Sequence, residues 1–161
     1  MPQRHAGPAA FEAEYLAGFR EIYEEKIVFN RMLGLRLTEI RPEGLVTARI
    51  DMRHELVGHF AYNRIHGGVI SAALDAIGSA AVMAALAARH MDETPARRLE
   101  RFAKLGTIDL RIDYLRPGIG EFFTVHAECL RVGSRVGTSR MEFRGPDGTL
   151  MSAGAAAYIV S

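Results

Sequence analysis

Asp75 stands inside an apolar run, rich in Ala, Leu and Met, that extends from Gly68 to about His90. A carboxylate there is expensive to bury unless it is paired, neutralised or turned toward a cavity. It therefore reads in two ways. It is either a structural anion, bonded to a backbone group or to an arginine such as Arg64 or Arg111, or a working acid–base group of the kind that gathers at functional sites. His66-Gly67-Gly68 precedes the run. Glycines at a helix start leave backbone N–H groups open, and the helix dipole adds partial positive charge, so an oxyanion or carbonyl oxygen can sit there. The plainer reading is a tight turn with His66 as a cap. Seven to eight residues separate the glycines from Asp75, about 11 Å along one helix. One small ligand atom cannot touch both, so this geometry points to a site shared between subunits.

The elements that must position these groups follow from periodicity. The run itself is too long for a strand and apolar nearly all round, which predicts a buried helix of about six turns. Ser71, Asp75 and Ser79, spaced by four, form its one polar stripe. Upstream, Phe11, Tyr15, Phe19, Ile22, Tyr23 and Ile27 predict an amphipathic helix ending near Asn30. Residues 1–10 read as a loose segment. Leu33–Ile40 and Leu45–Met52 read as strands joined by the Arg41-Pro-Glu-Gly44 turn. Residues 53–65 have no period, and residues 91–105 form a charged connection with a short helix after Pro95. Thr107–Leu115 alternates, with Thr107, Asp109, Arg111 and Asp113 on one face and Ile108, Leu110 and Ile112 on the other. Glu121–Val132, Val136–Arg144 and Thr149–Val160 follow as consecutive hairpins. The expectation is an α+β domain over 32–161, one antiparallel sheet covering one apolar helix, preceded by an N-terminal unit over 1–31.

Composition excludes several classes. In 161 residues, 48% are hydrophobic, 24% are charged and the net charge is +1, which speaks against disorder and against a nucleic-acid binder. The single cysteine, Cys129, makes no internal disulfide, and it lacks a helix N-terminus or histidine to activate it. No signal peptide is visible. The most apolar stretch, Ala76 to Ala88, counts thirteen residues, short of the ~20 that span a bilayer. His54, His59 and His66 with Asp51 and Glu55 match no metal-ligand spacing. The expectation is a cytoplasmic protein with no membrane partner, metal or cofactor.

Residues 63–75, Asn-Arg-Ile-His-Gly-Gly-Val-Ile-Ser-Ala-Ala-Leu-Asp, together with 107–117, Thr-Ile-Asp-Leu-Arg-Ile-Asp-Tyr-Leu-Arg-Pro, resemble the hotdog-fold acyl-CoA thioesterases, particularly the phenylacetate-pathway type. The resemblance covers about residues 32–160. It implies an antiparallel sheet wrapped around a long helix, homodimers that often pair into tetramers, and an active site at the dimer interface. It implies Asp75 as general base or nucleophile and the Gly67 N–H on the thioester carbonyl. Thr107, supplied by the other subunit, would orient the water, and His66 would hold the loop. Asn63, Gly68 and Ser71 are expected beside the substrate. Arg97, Arg98, Arg101 and Lys104 read as a solvated segment, or else these, or Arg131 and Arg135, meet the phosphates of coenzyme A. Two departures stand out: Phe60 where relatives carry Asn or Gln, and the charged segment 91–105. An incomplete polar set leaves a low-turnover acyl-thioester binding or sensing domain as the alternative to hydrolysis.

Overall fold

Aromatic side chains recur every four residues from Phe11 to Tyr23, and a computed structural model, which describes residues 10–161, lays all four against one core. Successive rings lie 4.4, 5.8 and 4.8 Å apart. They ride on helix α1 (Ala13–Arg20) and a π-helical continuation, Glu21–Lys26. The continuous helix expected to reach Asn30 is broken at Ile27, which is extended, and a second helix, α2, covers Val28–Leu33. The break has a local cause. The buried Asn30 amide donates to the Tyr23 carbonyl at 3.0 Å, and the Ile27 N–H bonds back five residues to Ile22, so the ladder cannot run on in α register. Gly34, at φ 72°, ends α2, which shifts the first strand to Arg36 and carries α2 across the expected boundary at 31. Most of the loose segment expected at 1–10 lies outside the described residues.

The sheet follows the predicted order of elements. β1 (Arg36–Arg41) and β2 (Leu45–Asp51) form a hairpin; β3 (Val57–His59) and β4 (Arg64–Ile65) pair separately within the stretch that lacked periodicity. α3 (Gly67–Ala87) is the central helix, and α4 (Pro95–Glu100) the short one after Pro95. β5 (Gly106–Tyr114), β6 (Phe122–Val132), β7 (Val136–Arg144) and β8 (Leu150–Ile159) complete a six-stranded antiparallel sheet in the order β1-β2-β6-β7-β8-β5. Val46, Ala48, Ile50, Phe123 and Val125 point inward onto α3 and are fully buried. With its last turn, α3 spans Gly67–His90 and is long and apolar enough to cross a membrane, longer than the thirteen residues counted above; it is nonetheless mostly buried inside the protein.

Segment 91–105 is not simply solvated. Arg98 is fully buried: its guanidinium donates to the Glu12 carboxylate at 2.5 Å and lies 4.9 Å from the Tyr15 ring. That hydrogen bond holds the Glu12 carboxyl below its usual value and ties α4 to the N-terminal helix. Phe102 packs edge-on against Tyr23, ring centres 5.6 Å apart.

α3 approaches β7 and β8 closely at Gly78. A Cβ there would lie 2.4 Å from the Tyr158 hydroxyl, 2.8 Å from Ser139 Oγ and 2.9 Å from Met141 Sδ. Gly78→Ala gains about 1 kcal/mol of helix propensity, but overpacking costs about 1–3 kcal/mol. Tyr158 is fully buried and hydrogen-bonded, so it cannot retreat. The expected outcome is a lower urea midpoint with an unchanged slope; an unchanged or higher midpoint would show that the sheet yields here.

Candidate active site

α3 begins where the chain leaves β4 in an extended conformation. Asn63, exposed and left-handed at φ 49°, turns the chain before β4. His66 then caps the helix, its Nδ1 accepting the Gly68 N–H at 2.7 Å, which makes Nε2 the protonated nitrogen. The Ser71 hydroxyl donates to the Gly68 carbonyl at 3.0 Å, back along the helix. The Gly67 carbonyl accepts from Tyr114 at 2.9 Å. Among the described residues the Gly67 N–H has no partner. It is an open donor at the positive end of a 21-residue helix.

Two turns on, Asp75 is half-buried. Its Oδ1 accepts the Thr107 hydroxyl at 2.9 Å, and its main-chain carbonyl accepts the Tyr158 hydroxyl at 3.0 Å. Burial, with the Asp75 charge adding, holds the Tyr158 phenol far above its ordinary value; it is a permanent donor. Neither arginine suggested as a structural partner reaches the carboxylate. Arg64 lies over the Tyr62 ring, and Arg111 pairs with Asp113 at 3.3 Å.

Thr107 corrects two expectations. It meets Asp75 within one chain, not from a second subunit, and it does not share the outward face of Asp109, Arg111 and Asp113. The cause is a bulge: Thr107 stands opposite Tyr158 and Asp109 opposite Ala157, leaving Ile108 unpaired and exposed. The extra residue inverts the alternation, so Thr107 turns toward α3 beside Tyr158.

Asp75 and Thr107 line a cleft of about 280 Å³. Its walls are otherwise largely apolar: Ile27 and Phe29 from the N-terminal segment, Phe102 and Leu105 from segment 91–105, and Ala72 and Ala76 from α3. These wall residues, and Tyr158, were not singled out from the sequence. The signal lay in the small residues Ala72 and Ala76 on either side of Asp75, which leave room on the helix surface. Gly67 remains about 11 Å from Asp75. Edge strand β5 touches both, through Tyr114 at one end and Thr107 at the other.

Arg131 and Arg135 are exposed on either side of the β6–β7 turn, away from this cleft. A second cleft, about 580 Å³, gathers Arg89, Arg97, Arg101 and Lys104 with Glu100 against Gly133 of that turn. Arg89 lies fourteen residues past Asp75, about 21 Å along the helix. Cys129 is half-buried, and burial pushes its thiol up, the opposite of an activated nucleophile. Among the described residues no three His, Cys, Asp or Glu side chains gather closely enough to hold a metal.

Comparison with known proteins identifies the family and the fold. Residues 62–152 match the model of the thioesterase superfamily. The chain is similar to the medium/long-chain acyl-CoA thioesterase YigI of Escherichia coli, 34% identical over 142 residues, covering 87% of this chain and 90% of that one. A crystal structure from Shewanella oneidensis, of a protein related to the thioesterase superfamily, superposes with a TM-score of 0.86 at 36% identity, over 92% of this chain and 97% of that one. A thioesterase family protein from Silicibacter pomeroyi, 19% identical, shares the fold with a TM-score of 0.70 over 90% and 96%.

The cap at His66 can be isolated. His66→Ala removes the acceptor for the Gly68 N–H and is expected to lower stability by about 1 kcal/mol in urea denaturation, whereas His66→Asn, which restores a capping oxygen, recovers most of it. Equal stability of the two variants would remove the cap from the energetics of α3.

Proposed function

The chain belongs to the thioesterase superfamily, with the hotdog fold and the thioester-hydrolase activity of that family, and we propose that it hydrolyses medium- to long-chain acyl-CoA at a site shared by two protomers. The observation that carries this reading is the Asp75–Thr107 pair in the wall of a largely apolar cleft, with the open Gly67 donor beside the far end of the same edge strand. The largely apolar walls suit an alkyl chain, and the similarity to YigI agrees with that choice of substrate.

An exposed nine-residue edge strand invites a second copy. Antiparallel pairing of two β5 strands about a two-fold at Leu110 places Asp109 opposite the partner's Arg111, and the reverse, so opposite charges meet twice. A two-fold at Arg111 would instead set Asp109 against the partner's Asp113. The first register is therefore favoured. It lays the Thr107 end of one strand on the Tyr114 end of the other, and Asp75 thereby faces the partner's Gly67.

The chemistry follows from that arrangement. Thr107 occupies Oδ1 of Asp75 and fixes the carboxylate plane, leaving Oδ2 to take a proton from water. The hydroxide formed attacks the thioester carbon. The partner's Gly67 N–H stabilises the oxyanion of the tetrahedral intermediate. On collapse the carbon–sulfur bond breaks, and coenzyme A leaves as thiolate and takes the proton held on Asp75. Water and thioester become free acid and thiol.

Thiol release from an acyl-CoA panel tests the activity, and a protein that binds acyl-CoA without releasing thiol would favour the binding-domain reading. Asp75→Asn keeps the size and removes the base, with an expected loss of about 10²–10⁴ in kcat. Thr107→Val keeps the β-branch and removes the hydroxyl. Because that hydroxyl only positions the base, kcat is expected to fall by about 10-fold or more, with KM little changed. A folded Asp75→Asn protein of normal activity, or an active monomer in sedimentation, would overturn the shared-site mechanism.

A further inference from the structure

Among the described residues, two clusters of large apolar side chains stand exposed close to the candidate site. One is the tip of the β3–β4 hairpin, where Phe60 is 91% exposed and Tyr62 59%. This tip is built and not loose: His59 packs against both rings, with centres 5.9 and 5.0 Å away, and Arg64 covers Tyr62 at 4.7 Å. The other patch lies on α2, where Val28, Phe29 and Met32 are each more than half exposed and Phe29 lines the Asp75 cleft. Large apolar side chains clustered in water mark contact surfaces.

The two patches sit at opposite ends of β5. The hairpin tip belongs with the start of α3, because β3 packs directly on His66: a Cβ at Gly58 would lie 2.6 Å from His66 Cα. The α2 patch belongs with Asp75, since Phe29 lines the cleft that Asp75 and Thr107 also line. The β5 pairing proposed above sets each end of the strand on the other end of its partner. It therefore brings the hairpin tip of one protomer to the α2 patch of the other, twice, as a closed two-fold requires.

We infer that Phe60, supported by Tyr62, forms the outer wall of the acyl cleft of the partner subunit, so that each protomer supplies the apolar lid of a site whose carboxylate belongs to the other. This inference rests on the shared-site acyl-CoA reading and deepens it. Phe60 stands six residues before His66, where the thioesterase resemblance expects a polar side chain. A ring there exchanges a hydrogen-bonding group for alkyl contact, which selects for acyl chains long enough to reach it. A Phe side chain buried against alkyl is worth about 1.5–3 kcal/mol, which corresponds to about tenfold or more in selectivity.

The test compares kcat/KM for butyryl-, octanoyl-, dodecanoyl- and palmitoyl-CoA. Phe60→Ala is expected to lower the palmitoyl-to-butyryl ratio by about tenfold, mainly through a higher KM for the long substrates. Doubly tagged heterodimers then locate the effect. An Asp75→Asn chain paired with a Phe60→Ala chain keeps Phe60 over its one working carboxylate, and the wild-type ratio is expected. A chain carrying both substitutions, paired with a wild-type chain, has its one working carboxylate under the altered tip, and the lowered ratio is expected. The reverse pattern would place Phe60 over its own cleft, and an unshifted ratio in every species would remove it from the site; either overturns the inference. Should the Phe60→Ala chain sediment as a monomer, Phe60→Leu, which keeps apolar bulk and loses the ring, carries the same comparison. A wild-type protein that releases no thiol from any of the four substrates would instead sink the acyl-CoA reading itself, which separates the two failures.

Discussion

Two side-chain hydrogen bonds pin the edge strand β5 to the central helix, Thr107 onto Asp75 and Tyr114 onto Gly67, and the chemistry is laid out by that tether. The Asp75 carboxylate, the proposed base, and the open Gly67 donor are held on one rigid helix about 11 Å apart. A reacting carbonyl must lie within hydrogen-bond reach of its donor while the attacking water lies within reach of the base. One chain cannot meet both conditions. The strand that joins the two ends is also the edge strand, paired only with β8, so the helix separates the groups within a protomer while the free side of β5 is the element able to bring them together across two.

The apolar cleft depends on parts of the chain outside the sheet and its helix. α1 carries the aromatic column that fixes the N-terminal segment, and the pair between buried Arg98 and exposed Glu12 holds α4 against it. Burying the guanidinium is costly, and its pairing offsets that cost without adding much net stability over apolar packing; the pair specifies where α4 sits. Phe102 and Leu105 follow α4 into the cleft wall, while the break at Ile27 swings Phe29 into the wall from the other side. The charged connection 91–105 and the interrupted N-terminal segment thus both contribute walls to one cleft.

Most of the fold was legible because its signals are local. Thr107 to Leu115 alternates, the run after Gly68 is helical by length and composition, and the turns at Gly44 and Gly148 bracket strands. Asp75, His66 and Gly67 were legible as candidate chemistry for the same reason: a charge in an apolar helix and glycines at its start are visible without the fold. The face of Thr107 was not legible, since strict alternation assigns it outward and only pairing against β8 reveals the extra residue at Ile108. Arg98 was misread because a buried arginine and a solvated one look alike until Glu12, 86 residues away, is placed beside it. The helix break at Ile27 likewise depends on an Asn30 side chain competing for a backbone carbonyl, which periodicity does not register.

The surroundings of Asp75 bear on the two readings of that residue and support the proposed one. A buried carboxylate retained for structure is expected to have its oxygens occupied by cations or several donors. Here the side chain has one partner among the described residues, the Thr107 hydroxyl on Oδ1, and both nearby arginines are engaged elsewhere. Tyr158 bonds the main chain of Asp75, so it fixes the helix without neutralising the charge. Ala72 and Ala76 flank the carboxylate with little bulk, and Gly78 gives Tyr158 room to reach the helix. The helix is thus held firmly at Asp75, while among the described residues the second carboxylate oxygen has no partner. That combination of rigid support and an uncommitted lone pair is what a general base needs and what a structural anion would not be expected to keep.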